Sequence, residues 1–152
     1  MFRWFCAMFL AVLAQPLLAD ELRPSVVEMT EQDAASSPGV WVLEWKLPVT
    51  ARRGVAAAPR AQPVVPASCE IVGEPVRRAS PLALLGRAQL QCNGGLAGES
   101  FGLSQLIGSS DGIARFVPQD RPVQSFRLTA AAPSAVILAE PDRLQVLRDY
   151  FV

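Results

Sequence analysis

Pro38-Gly39-Val40-Trp41-Val42-Leu43-Glu44-Trp45-Lys46-Leu47-Pro48 is the stretch that decides the fold. Trp41, Leu43, Trp45 and Leu47 alternate with Val40, Val42, Glu44 and Lys46, so the apolar side has a period of two. That period puts both tryptophans on one face of a β-strand. Pro38-Gly39 opens the strand and Pro48 closes it. The polar, turn-like run 30–37 separates it from an earlier strand around Pro24 to Met29, whose alternation is less regular.

Reading outward, the same period recurs. Cys69 to Val76 places Cys69 and Ile71 on one side and Glu70 and Val72 on the other, before Gly73-Glu74-Pro75 bends the chain. From Arg87 to Cys92, Ala88, Leu90 and Cys92 point inward and Arg87, Gln89 and Gln91 outward. Further strands are expected at Ser100 to Leu106, Ile113 to Val117 and Val123 to Thr129. Turns are expected at Asn93-Gly94-Gly95, Asp111-Gly112 and Gln119-Asp120-Arg121-Pro122. Val55 to Ala58 reads as a short strand, and 59–66 as an extended loop or edge. The thirteen prolines leave room only for short elements. The expectation is all-β: a two-sheet antiparallel β-sandwich of immunoglobulin-like type. Its core would gather Trp41, Trp45, Leu90, Phe101, Leu103, Phe116, Phe126 and Leu128. In the tail, Glu140-Pro141-Asp142 resembles a helix start, and Leu144, Leu147 and Phe151 follow at helical spacing. Residues 140–152 are therefore expected to form a short helix, or a stub that continues into a membrane.

The N-terminus reads as an export signal. Arg3 precedes an apolar run from Trp4 to Leu13, Gln15-Pro16 breaks it, and Leu17-Leu18-Ala19 offers a small residue for cleavage. The cut is placed between Ala19 and Asp20, giving a signal peptide at 1–19 and a sandwich at 20–139. The alternative, an uncleaved anchor, needs about 20 apolar residues, and this run is about half that. Cys6 lies inside the apolar run, away from the position of a lipoprotein cysteine.

Export changes the meaning of the cysteines. Without Cys6 two remain, Cys69 and Cys92, an even number in an oxidising compartment, which suggests one disulfide. Both sit at inward positions near strand ends, where a cross-strand or inter-sheet bridge is easily built. The alternatives are two buried thiols or a metal pair, and the chain has no histidine to complete a metal site.

Removing nineteen of 152 residues leaves 133, enough for one domain. Loss of Arg3 leaves 13 basic and 14 acidic residues, a net charge of −1 that suggests neither nucleic acid nor an anionic membrane surface as partner. With no histidine, histidine-dependent triads and histidine-containing zinc sites are ruled out. No phosphate-binding glycine loop occurs, and Gly94, Gly95 and Gly98 read as turn glycines. Glu70 and Glu74 form the one carboxylate pair worth weighing for acid–base chemistry, but both read more simply as solvent-facing neighbours of Arg77 and Arg78. Asp111 and Asp120 read as turn residues, and the pairs Arg52-Arg53 and Arg77-Arg78, which could contact an acidic partner, read more simply as solvated loop or strand-edge pairs. No cofactor, metal or catalytic residue is expected.

Four blocks occur in a telling order: Glu21-Leu22-Arg23-Pro24, Leu43-Glu44-Trp45-Lys46-Leu47-Pro48, Cys69-Glu70-Ile71-Val72-Gly73-Glu74-Pro75 and Cys92-Asn93-Gly94-Gly95-Leu96-Ala97-Gly98. With the Asp111 to Arg127 region, they make nearly the whole mature chain resemble the extracytoplasmic N-terminal domain of HupE/UreJ-like membrane proteins. The two cysteine-centred blocks are the most specific part. The resemblance implies a periplasmic domain followed by membrane helices carrying the His and acidic residues associated with metal, often nickel, permeases. Here the sequence reaches Asp149-Tyr150-Phe151-Val152 about where the first such helix is expected, so permease activity is not carried over. Family members often have His just before the first block, where this chain has Asp20, so a histidine metal site there is excluded. The expectation is a non-enzymatic exported module that docks on a membrane-protein partner. One alternative is a split-off fragment of a nickel-permease-like protein, and another is a small-molecule or metal binder.

Overall fold

The computed structural model describes residues 24–52, 55–57, 61–106 and 111–139. The expected signal segment 1–19 with its expected Ala19–Asp20 cut, Arg53, and the expected helix at 140–152 lie outside the described residues.

Every element described is a strand: β1 (Ser25–Glu31), β2 (Val40–Pro48), β3 (Thr50–Arg52), β4 (Val55–Ala57), β5 (Gln62–Val64), β6 (Cys69–Ala79), β7 (Ala83–Cys92), β8 (Ser100–Ser104), β9 (Gly112–Val117), β10 (Gln124–Leu128) and β11 (Ser134–Val136). They build a six-stranded sheet in the order β10-β9-β1-β2-β7-β6 and a three-stranded sheet in the order β11-β8-β5, with β3 and β4 as a separate ribbon. The two sheets make a β-sandwich. Its core gathers Val27, Met29, Trp41, Leu43, Trp45, Leu47, Leu90, Phe101, Leu103, Phe116 and Leu128.

The alternation in β2 survives intact, with Trp41, Leu43, Trp45 and Leu47 buried. Its partners obey the same period. Val27 and Met29 of β1 stand opposite Trp45 and Leu43, and Leu90 and Ala88 of β7 stand opposite Trp41 and Leu43. The outer face carries matched charges at register positions. Arg115 lies opposite Glu28 and bonds it at 2.7 Å, and Arg87 lies opposite Glu44 at 3.5 Å. Such exposed pairs stabilise little, but they oppose slippage of the strands that carry them.

One strand pair corrects the all-antiparallel expectation: β1 and β9 run parallel. The cause is the path of the chain. After β7 it leaves the six-stranded sheet to form β8 in the other sheet, then returns to enter beside β1 as β9, in the direction of β1. Parallel neighbours need such a crossover, whereas hairpins give only antiparallel ones. Two further expectations shift. Phe126 is half-buried at the core margin. Ile71 faces inward on edge strand β6, yet is 45% exposed, while Cys69 on the same face of that strand is buried.

Close packing at one glycine sets the β2–β7 register. Gly86 is paired with Trp45, and a Cβ on Gly86 would lie 2.0 Å from Cε2 of the indole. Gly86→Ala is therefore expected to cost about 1–3 kcal/mol through overpacking. Adding Trp45→Phe, which deletes the indole atoms in the way, should recover part of that loss. Urea midpoints of the single and double variants check this. A double variant whose midpoint equals the sum of the single losses would argue against the contact.

Candidate functional site

Cys69 begins β6 and Cys92 ends β7, directly opposite each other in the strand register. They form the expected disulfide, both half-cystines buried within the core. It is a cross-strand bridge inside one sheet, not a link between the sheets. Such a bond fits an oxidising compartment. Among the described residues, no helix is long and apolar enough to cross a membrane.

Beside the disulfide, three connections meet at one end of the sandwich. The β1–β2 connection brings Pro38 and Gly39, the chain after β7 brings Asn93 to Leu96, and the β9–β10 connection brings Arg121. With Glu31, Trp41 and Gln91 they line an open cleft of about 400 Å³.

Each wall is held by hydrogen bonds. Cys92 N–H donates to Gly39 C=O at 2.8 Å, and Asn93 N–H to Ser68 C=O at 2.9 Å. The Gln91 side-chain amide donates to Pro38 C=O at 3.2 Å. Gly39 has φ +72, and a Cβ there would lie 2.6 Å from the Cys92 oxygen, so both conformation and space require glycine. In the β1–β2 connection, Asp33 accepts from Ala35 N–H at 3.1 Å and from the Ser36 hydroxyl at 2.9 Å, which closes the turn. Gln119 N–H donates to Glu31 Oε2 at 2.9 Å, fastening the β9–β10 connection to the end of β1. The Arg121 guanidinium lies over the Phe116 ring, 5.8 Å from its centroid.

Behind the disulfide, the main-chain N–H of Ser68 donates to Glu99 Oε2 at 2.9 Å. This bond holds the Glu99 carboxyl below the usual carboxylate range. Its contribution is present above the ordinary carboxylate pKa and is lost as pH falls through the lowered one.

The cleft combines an anion (Glu31), a cation (Arg121), the Asn93 amide and an aromatic floor. It contains no nucleophile paired with a base. Among the described residues, no group of three His, Cys, Asp or Glu could hold a metal ion. This arrangement suits recognition of a polar group.

The other residues singled out in the sequence are scattered. Glu70, Glu74, Arg77 and Arg78 are exposed along edge strand β6. Asp111 accepts from Arg127 at 2.7 and 3.0 Å, so it is an ion-pair partner as well as a turn residue. Gly94 and Gly98 have positive φ, as turn glycines do, and Gly95 does not. Glu31 and Arg121 were not expected at a site. Arg121 was visible only as part of a turn, and nothing local indicates which turn of another strand pair lies beside it.

No known protein-family model matches the chain, and no curated protein matches it in sequence.

Proposed function

We propose that the protein is an exported, non-enzymatic interaction module of the periplasm that docks through its disulfide-braced loop end on a membrane protein. The observation that carries this reading is the convergence of three hydrogen-bonded connections on one cleft. Loops held on a rigid sandwich are a common place for recognition. The resemblance to the extracytoplasmic domain of HupE/UreJ-like proteins supports a membrane-protein partner. The strand order supports an immunoglobulin-type sandwich: β1-β2-β7-β6 follows the A-B-E-D order and β5-β8-β11 the C-F-G order. The β9–β10 hairpin is then an insertion that extends the first sheet past β1.

A photo-crosslinking residue at Asn93 or Arg121 is expected to capture an integral membrane protein in intact cells. The same residue at Arg87, on the outer sheet face, should not. Equal capture from all three positions, or from none, would remove the loop end as the docking surface.

A second reading, a small polar ligand in the cleft, is favoured by a volume within the range of small-molecule sites. Calorimetric heat with a small solute that Arg121→Ala abolishes would favour it. Absence of heat with Ni²⁺, Cu²⁺ and Zn²⁺ would remove its metal version.

A further inference from the structure

We propose that the exposed edge of the six-stranded sheet is self-complementary, and that two copies of the chain join β6 to β6 antiparallel about a two-fold axis at Glu74. This surface is separate from the loop end, and the inference stands independently of the docking proposal.

Among the described residues, β6 is the outermost strand of its sheet, with no neighbour beyond it. Its free backbone groups can be assigned. At one end of the β6–β7 hairpin Ser68 C=O accepts from Asn93 N–H, and at the other Ser80 N–H donates to Ala83 C=O. Alternate residues of an antiparallel strand bond the same neighbour, so the even-numbered positions face β7. Ile71, Arg77 and Ala79 then direct their N–H and C=O groups outward. The bulge between Val72 and Val76 opposes Gly73, Glu74 and Pro75 to Ala88 alone. It adds two residues, so the alternation is the same on both sides of it.

The side chains on this edge are unusual for one left bare. Ile71 is 45% exposed, Val72 50% and Val76 63%, with Leu85 of β7 beside them at 41%. Glu70, Arg77 and Arg78 are exposed as well. With the axis at Glu74, each residue before it meets the residue equally far after it in the second copy. Ile71 then pairs with Arg77 through outward-facing backbone groups. On the outer face Val72 meets Val76, and Glu70 meets Arg78. Symmetry repeats each contact, as an isologous interface requires.

Moving the axis one residue to Gly73 would set Glu70 against Val76 and Val72 against Glu74. Moving it to Pro75 would set Val72 against Arg78 and Glu74 against Val76. Of these three registers, only that at Glu74 matches apolar with apolar and acid with base on the outer face. Pro75 has no N–H to donate, so the seam is two short ladders on either side of the bulge. Glu74, at the axis, brings two like charges together and weakens the pair.

A bulge, a proline and charges are also the features of an edge kept from pairing, and the two cases separate by experiment. Sedimentation velocity on the oxidised mature protein, over a wide concentration range, is expected to show a concentration-dependent monomer–dimer equilibrium. Arg78→Glu should raise the dissociation constant about tenfold or more, since two attractive pairs become repulsive. Glu70→Arg alone should do the same, and the Glu70→Arg/Arg78→Glu double variant should restore association. Glu74→Gln should strengthen it. All three side chains are exposed, so the fold should be unchanged, and near-ultraviolet circular dichroism checks this. A protein that stays monomeric throughout, or a dimer indifferent to the charge exchange, would overturn the proposal.

Discussion

Replacing Phe116 by alanine is expected to lower the stability of the domain by about 3–5 kcal/mol, the usual cost of emptying a buried aromatic site. Phe116 is fully buried on β9. Its ring stacks on Trp41 of β2, with centroids 4.9 Å apart and planes 17° from parallel. It also meets Phe101, on β8 of the opposite sheet, at 6.2 Å. Phe101 in turn meets Phe126 of β10 edge to face. Phe116 is thus the member of this cluster that joins the two strand ends under the cleft to the three-stranded sheet. Its loss would remove contacts on both sides of the sandwich, and the floor under Arg121 with them. Against a total stability of about 5–15 kcal/mol for an ordinary domain, the loss is severe. Urea unfolding should show a lower midpoint with little change in slope. Arg115→Ala, the neighbouring outward position, should stay within about 0.5 kcal/mol of the parent. Equal losses at the two positions would show that β9 does not face the core as described.

The second large effect is expected from the disulfide. Replacing Cys69 and Cys92 together by alanine should cost roughly 3 kcal/mol on the chain-entropy model for a loop of this length. The 23-residue separation spans the bulged edge strand and the whole β6–β7 hairpin. Without the bond, the edge strand would keep its ladder to β7, the Cys69–Pro66 backbone bond and the Glu99–Ser68 contact just before it. The wall of the cleft formed by Cys92 and Asn93 would also lose its covalent anchor. Reductant should therefore lower the urea midpoint of the parent protein and leave the double variant unmoved. A parent indifferent to reductant would mean that the bond contributes nothing to folding.

What could be read from the residues follows from how local each signal is. The β2 strand declares itself because Trp41, Leu43, Trp45 and Leu47 fill one complete buried face, with proline at each side. Strand β7 does so through Ala88, Leu90 and Cys92, and the turns through their glycines. The cysteine pairing needed only the count and the compartment. By contrast β3, β5 and β11 are three residues each, too short to show a period, and they are made strands by the neighbours they pair with. The parallel β1–β9 pair depends on which sheet β8 joins, which no local pattern specifies. Ile71 keeps its inward parity but not its burial, since parity does not specify what lies opposite. The cleft was the least readable part. Glu31 and Gln119 come together across 88 positions through a backbone bond that any residue at 119 except proline could make.

The proposal that this sandwich is exported and tied by the Cys69–Cys92 bond is decided by intact-mass spectrometry of the native protein recovered from the cell envelope and alkylated without reductant. The expected species begins at Asp20, takes up no alkylating reagent, and is two hydrogens lighter than the reduced chain. A chain that retains Met1, with Cys69 and Cys92 both alkylated, would contradict it.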